Sequence, residues 1–391
     1  MMCVDLCERG AISVRRQSDG FRYPHIDYKK CTGCAICISR CPVNVANSMN
    51  NGLAISRAYV ARARNQEIRN QSSSGGAFSV LAQQIVEENG FVAGVVADGL
   101  EVRHILTNKP HDLVRMRGSK YLQSNTVGIY RAVKKKLLEG KKVLFAGTPC
   151  QCMAIISFCG PRLRSRLIVV DLICHGVPSD RIIPLTEYGC GESITALLSW
   201  RSKLPDLKNT FVFRFVNREG ETKALTGDQN CFIQLYISSL LFRNSCYRCP
   251  FAKIHHDTEL TLADFHEKPI VTSADTGGVS LVLTHNKQGE QLLHRLSGLE
   301  LEPYPIADAL SRKFNSFTPN KLVYYHFARR LLRLFVIILP IPVQYFLYNQ
   351  RQRQRNKFAV PLRIYEKILF ILEERRIKSA KAKIFANAVR K

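Results

Sequence analysis

A chain of 391 residues with 46% hydrophobic residues has room for about two or three globular domains and a sizeable core. Its net charge of +26 asks for an anionic partner, yet no helix-turn-helix, RNP signature or zinc finger supports nucleic acid. Its 14 cysteines are too many for chance burial, and their C-x2-C spacings point to metal rather than disulfides.

The chain opens MMCVDLCERGAI, with Cys3 and Cys7 spaced as half of a larger pattern. The other half is CTGCAICISRCP, in which Cys31, Cys34, Cys37, Cys41 and Pro42 form C-x2-C-x2-C-x3-C-P. That is the bacterial ferredoxin run, whose fourth cysteine serves the other cluster of a pair. The alternative is a zinc knuckle, but zinc sites come as separated C-x2-C pairs or with histidines. Under the crossing rule, Cys7 completes one 4Fe-4S cube with Cys31, Cys34 and Cys37. Cys41 then joins Cys3 in a second cube whose first two ligands would precede Met1. The expectation is a start codon assigned too late, with a decayed single-cluster site as the alternative. Thiolate-held iron needs a reducing compartment and no signal peptide precedes Cys3, so the protein is expected in the cytoplasm.

GFRYPHID, between the two cysteine groups, reads as a turn and short strand. A basic, weakly patterned connector follows and ends in QSSSGGAFSVLAQQIVEENG. There Ser72 to Ser74 read as the N-cap of a helix that Gly90 ends, while Gly75 and Gly76 permit close backbone approach. FVAGVVAD is a predicted strand. GIYRAVKKKLLEG then reads as a helix closed by Gly140, with Lys134, Lys135 and Lys136 on a solvated face. KKVLFAG is a buried strand, QCMAIISFCG a helix and RLIVVDLIC a second buried strand, which together predict a parallel βαβ unit. TFVFRFVNREGETKAL predicts a hairpin around Glu219 and Gly220, and ELTLADF and SLVLTH predict further strands.

The tail from about 310 differs. LLRLFVIILPIPVQYFLY is apolar but broken by Arg333, Pro340 and Pro342, too short and interrupted for a membrane span. Runs such as RQRQRNK and EERRIKSAKAK flank or follow it, so one reading is an interfacial segment on anionic lipid. The other is a helix docked on the protein's own core.

The remaining cysteines divide into candidate ligands and controls. Cys150 follows the strand KKVLFAG and Cys174 ends RLIVVDLIC. If those strands are parallel neighbours about 4.8 Å apart, both thiols emerge at one carboxyl edge, where open α/β sheets bind ligands. Cys246 and Cys249 add a C-x2-C, which predicts a further 4Fe-4S cluster. In the alternative, Cys246 and Cys249 form a zinc or redox pair and Cys150 and Cys174 are buried apolar residues. Cys152, Cys159, Cys190 and Cys231 are expected to be structural.

SSSGGAF (72–78), GSKYLQS (118–124), GTPCQ (147–151), DLICHGVPS (171–179) and SCYRCPFAK (245–253) followed by TLADF resemble the coenzyme F-420 hydrogenase/dehydrogenase beta-subunit family. The resemblance spans residues 1 to about 290. It implies an iron–sulfur flavoprotein oxidoreductase that carries one to three 4Fe-4S clusters and FAD. Ferredoxin or another donor would supply its electrons, and a small-molecule acceptor would take them. That acceptor would be a deazaflavin coenzyme or a biosynthetic intermediate, since some bacterial relatives accompany polysaccharide-biosynthesis enzymes. The family usually has GDFWG where this chain has Ala263, Asp264, Phe265, His266 and Glu267, which weakens the case for a deazaflavin.

The resulting expectation is an α/β protein. An α+β ferredoxin-like module (1–52) precedes a mixed α/β flavin-binding domain with parallel βαβ units (53–130 and 131–305), and a basic tail follows (306–391). Ser73, Ser74, Gly75 and Gly76 would offer N–H donors at a helix N-terminus to the FAD pyrophosphate, helped by Lys120 and Thr148. No G-x-G-x-x-G follows a strand, so an NAD-type fingerprint is absent. His175, beside Cys174, is the candidate proton donor because imidazole titrates near neutrality, although a histidine bonded to backbone reads equally well. Competing expectations are a non-catalytic electron-transfer subunit and a basic nucleic-acid-binding protein with a structural cluster. The basic tail would make peripheral contact with the inner face of the membrane.

Overall fold

The computed structural model describes residues 1–48, 55–204, 207–237, 239, 241–253, 256–265, 278–310 and 341. Residues Met1–Lys321 form one compact unit and Leu322–Lys391 a second. The expected interfacial segment, apart from Ile341, lies outside the described residues. Among those described, no helix is long and apolar enough to cross a membrane.

The N-terminal module comprises α1 (Met2–Leu6), an antiparallel hairpin of β1 (Ile12–Arg16) and β2 (Arg22–Ile26), then α2 (Ile36–Ser39) and α3 (Pro42–Ser48). The sequence suggested only the second of these strands. Next come β3 (Arg57–Ala63), α4 (Gln66–Gln71), α5 (Ala77–Glu87), β4 (Phe91–Asp98), β5 (Glu101–Thr107), α6 (Pro110–Met116) and α7 (Ile129–Leu138). The βαβ unit is β6 (Val143–Gly147), α8 (Pro149–Cys159) and β7 (Leu167–Leu172). After α9 (Ile182–Cys190), β8 (Ala196–Leu204), β9 (Leu207–Val216) and β10 (Thr222–Leu225) make a small antiparallel sheet. The remaining elements are α10 (Cys231–Ile237), β11 (Leu260–Asp264), β12 (Ser280–Thr284), α11 (Lys287–His294), β13 (Leu299–Tyr304) and α12 (Ile306–Ala309).

Eight strands form the main sheet in the order β13-β3-β12-β11-β7-β6-β4-β5. Strands β11, β7, β6 and β4 run parallel to one another, and β12, β13 and β5 pair antiparallel with their neighbours. The fold class is therefore α/β with a large mixed sheet. Strands on both sides of residue 130 share it, so the two expected flavin-binding halves make one layer.

Alternation along the strands builds two cores. Leu144, Ile168 and Val170 face the core that α5 completes with Leu81 and Ile85. Val143, Phe145, Leu167 and Val169 face the opposite core, with Tyr130 and Val133 from α7 and Ile155 from α8. The small sheet has its own interior, where Phe213 stacks on Phe232 with ring centroids 4.7 Å apart and Trp200 is buried.

Two expectations change here. The supposed connector contains β3, an inner strand of the main sheet. Its buried positions are Tyr59 and the small residues Ala58, Ala61 and Ala63, interrupted by Arg57 and Arg62, so no apolar run marks it. The serines do not cap α5 either. Its N-cap is Gly76 at φ +86°, while Ser72 closes α4 by donating from Oγ to the Ile68 carbonyl. The predicted hairpin, the βαβ unit and the helix closed by Gly140 are as expected.

Candidate functional site

In the N-terminal module, Cys3 lies in α1 and Cys7 is its C-cap, the Cys7 thiol accepting from the Ala11 N–H at 3.3 Å. Cys31 and Cys34 are exposed in a loop bent by left-handed Gly33 and Ala35, while Cys37 and Cys41 are half-buried. Burial raises the Cys3 thiol pKa, with Cys37 among the charges that add to the rise. Asp5 in α1 accepts from the N–H groups of Gly128 and Tyr130 at 2.7 and 3.0 Å, which docks this module at the start of α7.

That second group is built by the sheet. Thr148 follows β6 directly and forms a reciprocal capping box with Gln151, with Pro149 at the first turn, so Cys150 sits in the opening turn of α8. The Thr148 hydroxyl is 3.2 Å from the Cys150 sulfur. Gly147 is in register with Asp171 on neighbouring β7, and Cys174 lies just beyond that strand. A second segment then zips alongside. Ser179 N–H donates to the Leu241 carbonyl at 2.8 Å, and Arg243 N–H to the Val177 carbonyl at 2.9 Å. Gly176 (φ +141°) lets the Phe242 ring seat against the backbone, since a Cβ there would lie 2.3 Å from it. Cys246 and Cys249 follow in a 3-10 turn and its cap.

The four thiols act on one another. Burial pushes Cys174 up, and the charges of Cys246, Cys150 and Cys249 raise it further. Cys249 is pushed up to about 12 by burial, then by Cys150 and Cys246. Such a crowd resists ionisation unless a positively charged centre compensates it, which is what a thiolate-bound iron centre does. Of the expected controls, Cys152, Cys159 and Cys231 are buried, and Cys190 is half-buried with its thiol toward backbone carbonyls.

His175 points away from a free role. Its Nε2 is 2.9 Å from Ser239 Oγ, and its ring is edge-on to Phe242 and Tyr236. Tyr236 in turn stacks on Tyr121 with centroids 4.4 Å apart. Its hydroxyl is driven up by burial, then by Tyr121, Cys174 and Cys246. The tyrosine pair thus extends from the cysteines toward the serine–glycine loop.

In that loop the hydroxyls serve the fold. Ser73 Oγ accepts from Ser119 N–H at 2.8 Å, and Ser74 Oγ donates to the Val279 carbonyl at 2.5 Å. Gly75 donates its N–H to Ser280 Oγ and sits so close to the sheet that a Cβ would be 2.3 Å from the Ala61 carbonyl oxygen. Lys120, expected to reach a phosphate, donates instead to the carbonyls of Arg115, Arg117 and Gly118 at 2.9, 2.6 and 3.1 Å. Burial, aided by Arg115, lowers its pKa to about 7.

Two residues here, Lys203 and Arg201, were not singled out from the sequence as site residues. Lys203 donates to the carbonyls of Arg69 and Ser74 at 2.7 and 2.5 Å, and burial with Arg201 lowers its pKa to about 8. Arg201 donates to the Ser73 carbonyl and to Tyr121 Oη, and forms an ion pair with Asp264. A lysine and an arginine in so basic a chain carry no signal of their own. Asp264 is the carboxylate that pairs with Arg201 among the described residues of this loop. His266 and Glu267 lie outside the described residues.

Three family models match the chain. A 4Fe-4S dicluster domain covers residues 1–45. The N-terminal part of the coenzyme F420 hydrogenase/dehydrogenase beta subunit covers 58–130, and its C terminus covers 140–304. No curated protein matches. Among solved structures, a chain of the xenon-derivatized F420-reducing NiFe hydrogenase complex from Methanosarcina barkeri is 16% identical, with a TM-score of 0.48, over 69% of this chain and 91% of that one. The protein is an iron–sulfur, electron-transfer relative of that beta subunit. With both halves of one family in order across more than half its length, behind a 4Fe-4S domain, the chain belongs to the coenzyme F420 hydrogenase/dehydrogenase beta-subunit family.

Proposed function

We propose that the chain is a flavin-dependent iron–sulfur oxidoreductase that takes electrons from a ferredoxin-like donor and delivers them to an organic acceptor. What supports this reading is that Cys150 and Cys174 follow the neighbouring parallel strands β6 and β7, and that the charges of Cys246, Cys150 and Cys249 all raise the Cys174 thiol. These four would hold one 4Fe-4S cluster, and Cys7, Cys31, Cys34 and Cys37 would hold another in the N-terminal module, with Cys3 and Cys41 left for a third. Clusters of this kind pass single electrons, and FAD supplies the step from single electrons to pairs.

The residues around the serine–glycine loop suit the diphosphate of FAD through charge rather than hydroxyl contacts. Lys120 and Lys203 donate to backbone carbonyls beside the loop, and Arg201 donates to the Ser73 carbonyl as well as pairing with Asp264, so three basic side chains line this cradle. Gly75 and Gly76 let the loop pack directly on β3 and β12 at the start of α5. Tyr121, bonded to Arg201, stacks on Tyr236, whose ring meets His175, so aromatic rings run from this cradle toward the cysteines. His175, held by Ser239, positions Tyr236 and Phe242 beside the thiols. A deazaflavin and an intermediate of polysaccharide biosynthesis are the acceptor classes to try first.

The test is an absorption spectrum of anaerobically purified protein, followed by titration of the reduced protein with acceptors. Flavin bands over a broad cluster shoulder, and oxidation by one acceptor class, are expected. Cluster absorption without flavin would contradict the reading. Flavin that reduces but yields to no small molecule would favour a subunit that only relays electrons.

A further inference from the structure

We propose that Asp171, His256 and His285 form a site for one divalent transition-metal ion, buried in the main unit and separate from the cysteine centres. Asp171 lies on β7, His256 in the loop before β11, and His285 directly after β12. The β7–β11 register sets Asp171 opposite Thr261, and β12 pairs with β11 on its other side. Residues distant in sequence are thereby gathered at adjacent strands. Their exposures are only 1%, 8% and 3%. One ligand atom from each lies within 4.8 Å of the other two, and no other described group of His, Cys, Asp and Glu does this.

Two imidazoles and a carboxylate are a donor set for zinc or ferrous iron rather than for calcium or magnesium. The surroundings orient that set. Fully buried Thr261 donates from Oγ1 to Asp171 Oδ1 at 2.5 Å and meets His285 Nε2 at 2.7 Å, the outer contacts that fix ligating groups. Asp171 Oδ2 and His256 Nδ1 are 2.6 Å apart. Even so, Oδ2 has no partner of hydrogen-bond geometry, and His256 Nε2 has none either. An ion entering here would displace the proton between Asp171 and His256 and draw the two ligand atoms apart, as metal binding releases protons from its ligands. The contrary picture is a hydrogen-bonded hub around Thr261 with an imidazolium on Asp171, which needs no ion.

Holoprotein purified anaerobically separates the two. Cluster iron is matched by acid-labile sulfide, so this site is read as metal in excess of sulfide after incubation with Zn²⁺ and desalting. About one zinc per chain should be retained by the wild type and lost in the His256→Gln/His285→Gln variant, with sulfide unchanged. Thr261→Val should weaken retention about tenfold or more. Failure of the wild type to retain zinc, or equal retention by the double variant, overturns the proposal. Should the double variant not fold, Co²⁺ added to wild type decides: ligand-field bands of nitrogen and oxygen coordination support the site. A thiolate-to-cobalt charge-transfer band in their place would put the ion on cysteines and overturn it.

Discussion

Lys203 donates to the backbone carbonyls of Arg69 and Ser74, so any role it has toward a ligand runs through its charge. Lys203→Met removes a cation held at the Ser74 carbonyl, and its loss is expected to weaken flavin retention tenfold to a hundredfold, the worth of about 1.5–3 kcal/mol. Flavin-to-protein ratio after gel filtration measures it, and unchanged occupancy would remove Lys203 from the cradle. His104 sets a pH dependence of a different kind. Burial holds its pKa at about 4 against an ordinary 6.5, and its ring stacks on Phe145. Between those values the unfolded chain binds a proton that the native protein refuses. Stability therefore falls as pH drops from 6.5 through 4, by about 3 kcal/mol in all. Chemical denaturation at pH 7 and pH 4.5 should show the loss, and His104→Gln should flatten it.

At the scale of elements, legibility followed side-chain size and spacing. The βαβ unit could be read because Val143–Gly147 and Leu167–Leu172 are apolar runs ended by glycine or polar residues. Placing Cys150 and Cys174 at one edge then followed from parallel pairing alone. Strand β3 could not be read, because it is buried on both faces mainly through alanines, with Arg57 and Arg62 interrupting any apolar run. The cap of α5 was misread because serines are good caps in general, whereas here they bind the neighbouring sheet and loop. Arg201, Lys203 and the Asp171 trio needed the sheet order, which no local pattern contains. Gly75 was legible as a close-approach glycine. Alanine there meets the Ala61 carbonyl oxygen at 2.3 Å and Ser280 N at 2.6 Å, backbone atoms that cannot step aside. Gly75→Ala should cost about 1–3 kcal/mol, visible as a lowered Tm, and should loosen flavin as well. A wild-type Tm in that variant would mean that β3 and the loop are not so tightly apposed.

For the whole molecule, the compact unit ending at Lys321 contains every residue assigned above to clusters, flavin and the buried trio. Ending the chain there should leave iron and flavin in place, and should abolish binding to anionic vesicles if the basic tail is what contacts lipid, as absorption and vesicle sedimentation would report. Flavin loss on truncation would mean that residues 322–391 belong to the cofactor fold. The central claim is that two separate cysteine groups hold separate clusters, and iron with acid-labile sulfide, counted per chain in anaerobic protein, tests it most directly. Cys150→Ala and Cys174→Ala should each lose about four irons and four sulfides, the content of one cube, while Cys152→Ala, buried in the core beside them, should lose neither. Iron and sulfide unchanged in the Cys150 and Cys174 variants would contradict a cluster at the carboxyl edge of the sheet.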